Sequence, residues 1–432
     1  MSAVVETSSR PFALARTVAL PRVGTSAAVS AMTMASLAPG LLPRTATMQA
    51  VVTGVFVALG LSVGRVVRGS DAVRLVGVVV GLLGVSWAFV AADRWQDGLR
   101  AAMGAPLLGP GYWVQVWAGA GVVVLALYGV VKLLGATART LGPALLVAVT
   151  VAATAVGVPA LVDWRTSSYG AANSFVDPDV HRPLSVAPAA WERLGAEGRK
   201  FLGGRPTRSS VRVYAGISSA PDLASRVALA IRELEQSGGL TRSNIVVAIP
   251  TGSGWIDANA VTGFERRFHD DVAIVGVQYS YAPSWATFLF GRRAAQDSAS
   301  AVVQAVAERI ASLPHPPNLY VYGQSLGAIG GSHAVRGVAT CGTLWAGPPA
   351  GAVERGSATV LANSSDPVIR WSPRLLYAPP DLSGARPDAP APQWLPVVSF
   401  LQTAVDLLAA LDAPAGHGHR YAVDQGTAMP GC

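Results

Sequence analysis

The pattern of apolar and polar positions changes character near residue 163. Before that point apolar positions come in blocks. Four of them (residues 46–64, 72–92, 113–134 and 141–162) carry no ionisable group at mid-block. Each is close to the roughly 20 residues that a helix needs to cross a hydrocarbon layer of about 30 Å. A weaker block, residues 24–42, is interrupted by Pro39. Together they predict an α-helical transmembrane bundle of about five spans over residues 1–163. Residues 164–210 are polar and Pro/Ser/Gly-rich, a linker with one short helix near 188–201. From 211 the periodicity alternates. Strands are predicted at 211–214, 244–250, 271–279, 318–322, 342–345 and 359–362. Helices are predicted at 222–236, 261–268, 294–313 and 397–411. Such alternation gives a mostly parallel sheet with helices on both faces, placed here in a domain of residues 211–432.

Composition agrees with a chain that is partly out of water. Of 432 residues 51% are hydrophobic and 13% charged, against about 25% charged in soluble domains. The net charge of +8 comes from scattered arginines. With no dense basic run, nucleic-acid binding is not expected. The positive-inside rule uses the same charges for orientation. Arg10, Arg16 and Arg22, then Arg65, Arg68 and Arg74, then Lys132 and Arg139 mark one side. Arg44 marks the other, with Arg94 and Arg100 balanced by Asp93 and Asp97. The last domain then lies outside the cytoplasm, on a multi-pass protein of the cell membrane. Gly60 with Gly64 and Gly77 with Gly81 have the spacing that lets membrane helices approach closely. No acid, base or His sits at mid-span, as a proton relay would need, so anchoring and assembly are the expected role. The two cysteines, Cys341 and Cys432, define no disulfide framework. They are read as one buried thiol and one terminal residue, although pairing is open to them in an oxidising compartment.

Candidate chemistry falls at the carboxyl ends of the strands, where such sheets place it. Gly323-Gln324-Ser325-Leu326-Gly327 follows a strand and precedes small residues, the context of a nucleophile elbow. A strained turn there lifts the Ser325 hydroxyl above the sheet and turns the Leu326 N–H toward a developing oxyanion. A serine nucleophile needs a base, and the base an orienting acid. His417 and His419 are the histidines downstream of the last long helix. His417 is slightly favoured for its flanking glycines. Asp366, in the loop after the strand at 359–362, is the best acid; Asp381, Asp388 and Asp406 are weaker. The loop Pro250-Thr-Gly-Ser-Gly-Trp255 supplies a second oxyanion donor, Gly252 or Ser253. Tyr279, Tyr281, Trp285 and Trp255 are candidates for a substrate wall. His-x-His at 417–419 lacks the neighbouring ligands of a metal site. Neither metal nor cofactor is expected.

Seven stretches resemble an actinobacterial membrane-anchored α/β-hydrolase family. They begin at Arg212-Val-Tyr-Ala-Gly216 and continue through Pro250–Trp255, Gln278–Trp285 and Tyr322–Gly327. Trp345-Ala-Gly-Pro-Pro349, Ser365-Asp-Pro-Val368 and Gly416-His-Gly-His-Arg-Tyr421 complete the set. Gln324 departs from the acidic residue usual before the nucleophile, and the segment between Pro349 and Thr359 is short. The resemblance implies an α/β-hydrolase fold and a triad of Ser325, Asp366 and His417 or His419. The expected function is hydrolysis of carboxylic esters, with an apolar ester or acyl lipid as substrate and membrane lipids as surroundings. Acyl transfer through the same triad to envelope lipids or glycans is the alternative, and a non-catalytic membrane scaffold the third reading. The sequence leaves the oligomeric state open.

Overall fold

The computed structural model describes residues 20–64, 70–204 and 210–432; the side chains of residues 137–166 and of Trp285 and Leu289 lie outside that description. The apolar blocks are helices: α1 Val23–Ser36, α2 Ala46–Val63, α3 Asp71–Ala102 and α4 Tyr112–Ser174. Three stretches, Ala46–Val63, Asp71–Ala102 and Tyr112–Ala136, are long and apolar enough to cross a membrane. Leu82, Leu83, Val122 and Leu125 on α3 and α4 point away from the protein interior, as suits a surface solvated by lipid. The weak first block yields only the 14-residue α1, too short to span alone. The blocks at 113–134 and 141–162 both lie within α4, with no non-helical residue between them. The side-chain surroundings of the block at 141–162 lie outside the described residues, as do Arg10, Arg16, Arg65, Arg68 and Arg139. Small residues do set helix approach. A methyl on Gly60 would meet the Val29 backbone at 2.9 Å, and one on Gly119 would meet Ala50 at 2.8 Å.

The chain forms two compact units. Residues 38–45 and 93–110 belong with residues 131–432 in the second unit. Within it Arg44 and Asp406 form a buried ion pair at 2.8 Å. The Leu41 N–H also donates to Asp406, and the Trp95 indole donates to the Gly40 carbonyl at 2.9 Å. Asp406 is therefore a structural partner of Arg44 and not a triad acid. Burial pushes its carboxyl above the ordinary range, with Arg44 opposing.

The rest of the second unit alternates as the sequence predicts. It runs α5 Pro188–Arg193, α6 Gly195–Gly203, β1 Val211–Ala215, α7 Leu223–Gln236, β2 Asn244–Ile249, α8 Ala258–Arg267 and β3 Val272–Val277. It continues with α9 Ser284–Phe290, α10 Arg292–Ala311, β4 Asn318–Gln324, α11 Leu326–Ala334, β5 Gly342–Ala346, β6 Thr359–Leu361, α12 Val398–Asp406 and α13 Asp424–Thr427. All strand pairs are parallel, in the order β1-β3-β2-β4-β5-β6. β2 and β3 are buried at every position, which is why both read as unbroken apolar runs. Alternate residues then face opposite sides. Ile245, Val247, Val275 and Val321 pack with Leu234, Val302 and Val306 of α7 and α10. Val246, Ile274, Tyr320 and Tyr322 pack with Phe201 of α6 and Phe264 of α8. Each such aliphatic or aromatic side chain contributes about 1.5–3 kcal/mol on full burial. The expected helix at 188–201 is two, broken at Gly195, whose φ of +74° only glycine adopts freely.

Cys341 and Cys432 are joined as a disulfide, with Cα atoms 4.8 Å apart. The sequence reading preferred separate thiols. The fold overrides it because the chain end lies along the sheet, with Arg267 donating to the Met429 carbonyl at 2.9 Å.

Candidate active site

β4 ends at Gln324 and α11 begins at Leu326, so the whole reversal falls on Ser325. Its φ of 52° and ψ of −118° lie in a region that side chains rarely occupy. The flanking glycines explain how the turn closes. A methyl on Gly323 would overlap the Gly327 carbonyl, and one on Gly327 would overlap the Ile249 carbonyl at the end of β2. The Ser325 N–H donates to Ala346 O at 2.9 Å, which ties the turn to the end of β5. Ser325 is partly exposed, and Leu326 beneath it is buried. The Leu326 N–H is the first of the helix, a position without an intrahelical partner.

Asp366 follows β6 and is fully buried. Its Oδ1 accepts from the Val368 N–H at 2.8 Å. Its Oδ2 accepts from the Tyr421 hydroxyl at 2.7 Å and is 2.8 Å from His419 Nδ1. A carboxylate there fixes the imidazole tautomer with the proton on Nδ1 and leaves Nε2 as the acceptor. Burial holds the Tyr421 hydroxyl far above the ordinary phenol range, with the Asp366 charge adding to it. Gly347, one residue past β5, lies against this pair: a methyl on it would stand 2.7 Å from His419 Cε1 and 2.9 Å from Asp366 Oδ2. Gln324, beside the nucleophile, donates to the His419 carbonyl at 3.3 Å. This amide thus holds the histidine loop to the elbow.

His417, favoured on sequence, turns elsewhere. Its Nδ1 is 3.2 Å from Asp388 Oδ2. Asp388 also accepts from the Ser365 N–H at 2.9 Å and from the Ser364 hydroxyl at 3.1 Å. The Gly418 N–H donates to Ser365 Oγ at 2.8 Å, and Asn363 donates to Gly418 O at 2.9 Å. The second His–Asp pair therefore latches the acid loop to the histidine loop, while the first faces inward. Flanking glycines fit either histidine; burial decides, with His419 7% and His417 22% exposed in their side chains. Asp381 is an exposed turn residue bound to Ser383.

The loop after β2 lies beside the elbow, since Gly327 approaches Ile249 and the Pro250 carbonyl. The Gly252 N–H donates to the Ser284 hydroxyl at 3.3 Å, and the Ser253 carbonyl accepts from Gln278 at 3.0 Å. Gly254, at φ +92°, closes the turn. Tyr279 is buried against Leu326 and Ile329 with its hydroxyl on Pro250 O at 3.2 Å, so it supports the elbow from below. Tyr281 and Trp255 are partly exposed, and the Trp285 side chain is outside the described residues. Asp257 escaped the sequence reading. It caps α8, and burial raises its carboxyl above the ordinary range, with hydrogen bonds from Gln425 and the Asn259 N–H and then the Arg420 charge opposing. No group of three potential metal ligands occurs among the described residues.

Comparison with known families decides the lineage. The profile described as alpha/beta-hydrolase family matches residues 211–357 and 353–429. The profile described as alpha/beta-hydrolase family N-terminus matches residues 37–206. The chain belongs to the α/β-hydrolase family. Its membrane-like N-terminal region is part of that family pattern and not an unrelated fusion. No curated protein and no solved structure matches the chain.

Proposed function

We propose that this α/β-hydrolase is a membrane-anchored serine hydrolase of carboxylic esters, with Ser325, His419 and Asp366 as its triad. The observation that carries the reading is the buried His419–Asp366 pair at 2.8 Å, tied through Gln324 to a strained serine at the strand–helix turn. Ser325 Oγ attacks the ester carbonyl as His419 Nε2 takes its proton. The same imidazolium returns the proton to the leaving alkoxide, and water repeats the sequence on the acyl-enzyme. Asp366 orients the ring and offsets its charge. The Leu326 N–H and a donor from Gly252 or Ser253 receive the oxyanion, each worth about 2.7–4 kcal/mol in such sites.

An apolar acyl substrate is supported by the lipid-facing α2–α4 surfaces. An extracytoplasmic hydrolase unit is supported by the Cys341–Cys432 disulfide, which persists in oxidising compartments.

The test is fluorophosphonate labelling of the full chain in detergent, followed by an acyl-chain-length profile. Labelling of wild type and none of Ser325→Ala is expected. An unlabelled wild type, or equal labelling of both, would leave the scaffold reading in its place.

A further inference from the structure

Residues 389–411 hold a single ionisable side chain, that of Asp406. The helix among them, α12, is turned inside out for a helix in water. Its polar residues Gln402, Thr403 and Asp406 are buried, where with Leu41 they border a cavity of about 210 Å³. Its leucines face outward. Leu401, Leu408 and Leu411 are exposed, Leu408 at 84%. Leu401 and Leu408 lie seven positions apart, two helical turns, and so share one face; a 3-10 turn at Leu407–Ala409 carries the row on past α12. Leu395, Val397 and Tyr377 are exposed as well. The Val397 N–H donates to the Leu376 carbonyl at 3.1 Å, which brings the loop at 373–377 to the same patch. Val397 has φ +61°, rare for a β-branched residue, and yet its side chain is not drawn into the core.

What covers this face follows from where α12 is fastened. Asp406 pairs with Arg44 at 2.8 Å, and Arg44 Nη2 donates to the Gln402 carbonyl at 3.3 Å. Arg44 stands two positions before Ala46, the first residue of a helix long and apolar enough to cross a membrane. Two Cα steps cover at most about 7.6 Å, so α12 is held close to the start of an apolar span. The Arg44 N–H donates to Gln96 at 3.0 Å, and Gln96 lies four positions past the apolar block 72–92 of α3. A second span end is thereby tied to the same point. Ala410, just past the 3-10 turn, accepts from the His419 N–H at 3.2 Å, so what holds α12 also holds the histidine loop.

We propose that the outer face of α12, with Leu395, Val397, Leu401, Leu408 and Leu411, is seated in the interfacial layer of the bilayer that the spans cross. Helices of this kind lie with their apolar face about 5–10 Å into the boundary between headgroups and acyl chains. The buried polar side needs no water, because Arg44 and the Leu41 N–H satisfy Asp406 from within. The proposal rests on the membrane-anchored reading above and not on Ser325 acting as a nucleophile.

The experiment uses the full chain carrying Ser325→Ala, in nanodiscs of phosphatidylcholine and phosphatidylglycerol. Cys341 and Cys432 are paired, so one introduced thiol at a time carries an environment-sensitive fluorophore. Labels at Leu408→Cys and Leu411→Cys should be shielded from iodide. Lipids spin-labelled near the headgroup should quench them more than lipids spin-labelled at the chain end, as a depth of about 5–10 Å requires. A label at Leu83→Cys, near the middle of the 72–92 block, should show the opposite order of depth. One at Gln304→Cys, exposed on α10, should respond to iodide alone. A Leu83 label that no lipid quenches would remove the membrane reading and this proposal with it. Lipid quenching at Leu83, with Leu408 and Leu411 responding to iodide alone, would overturn the proposal and leave the anchor standing. Shielding of Leu408 without lipid quenching, with energy transfer between differently labelled copies, would give the face to a second chain and overturn it likewise.

Discussion

One added methyl at Gly347 should disable the site without removing any group that does chemistry. Gly347 has φ +54°, and its N–H is fixed to Leu361 O at 2.8 Å. A Cβ there would stand 2.7 Å from His419 Cε1 and 2.8 Å from Nδ1, so ordinary contact at 3.4 Å requires a shift of about 0.7 Å. Asp366 cannot yield, since the Val368 N–H and Tyr421 hold both its oxygens. The displacement therefore falls on the imidazole. The left-handed backbone adds about 1–2 kcal/mol for a residue with a side chain, which the fold should survive. A catalytic group misplaced by near 1 Å costs about 10²-fold. Gly347→Ala should accordingly lower kcat/KM for a nitrophenyl ester, and the fluorophosphonate labelling rate, by about that factor with a modest loss of melting temperature. His417→Gln, which acts only on the outer pair with Asp388, should lose far less. Wild-type labelling by a folded Gly347→Ala protein would refute the reasoning, and so would a larger loss in His417→Gln.

Three further outcomes follow from the same geometry. Tyr421→Phe removes a hydrogen bond to the buried Asp366 carboxylate and strands the Asn363 N–H, so urea unfolding should show a loss of about 2–3 kcal/mol. Asp257 has its folded carboxyl raised by burial; its ionisation therefore costs stability as pH rises through that raised value, and costs nothing below the ordinary carboxylate range. Asp257→Asn should thus melt higher than wild type at pH 7 and level with it at about pH 3, whereas an equal difference at both would contradict the assignment. Reducing the Cys341–Cys432 bridge frees a loop closed across 91 positions, and the urea midpoint should fall by the equivalent of about 4–5 kcal/mol on the chain-entropy scale.

How much of this could be read from the sequence depends on how local each cause is. The sheet was legible because β2 and β3 are buried on both faces and carry unbroken apolar runs. The elbow was legible because its strain and its glycines lie within five adjacent positions. Which imidazole Asp366 holds was not. His417 and His419 differ in sequence only by neighbours, and Asp366, the partner of His419, lies more than fifty positions away. Asp388 was discounted for its Pro-rich surroundings, yet that loop brings it to Ser364, Ser365 and His417. The two blocks at 113–134 and 141–162 were separated on their apolar pattern, whereas both fall within the helical range of α4. Arg44 gave no hint of its partner, which lies 362 positions downstream.

That last pair bears on how the protein can be taken apart. The hydrolase looks like a cassette that could be cut free near residue 205, but its chain is interleaved with the anchor. Excising the C-terminal piece would remove the guanidinium that neutralises Asp406 and a wall of the cavity beside it, leaving a carboxylate stranded in an apolar interior. Supplying residues 38–45 in trans, or replacing Asp406 by a neutral residue of similar volume, becomes the rational route to a soluble enzyme. A fragment chosen by composition alone would be expected to misfold.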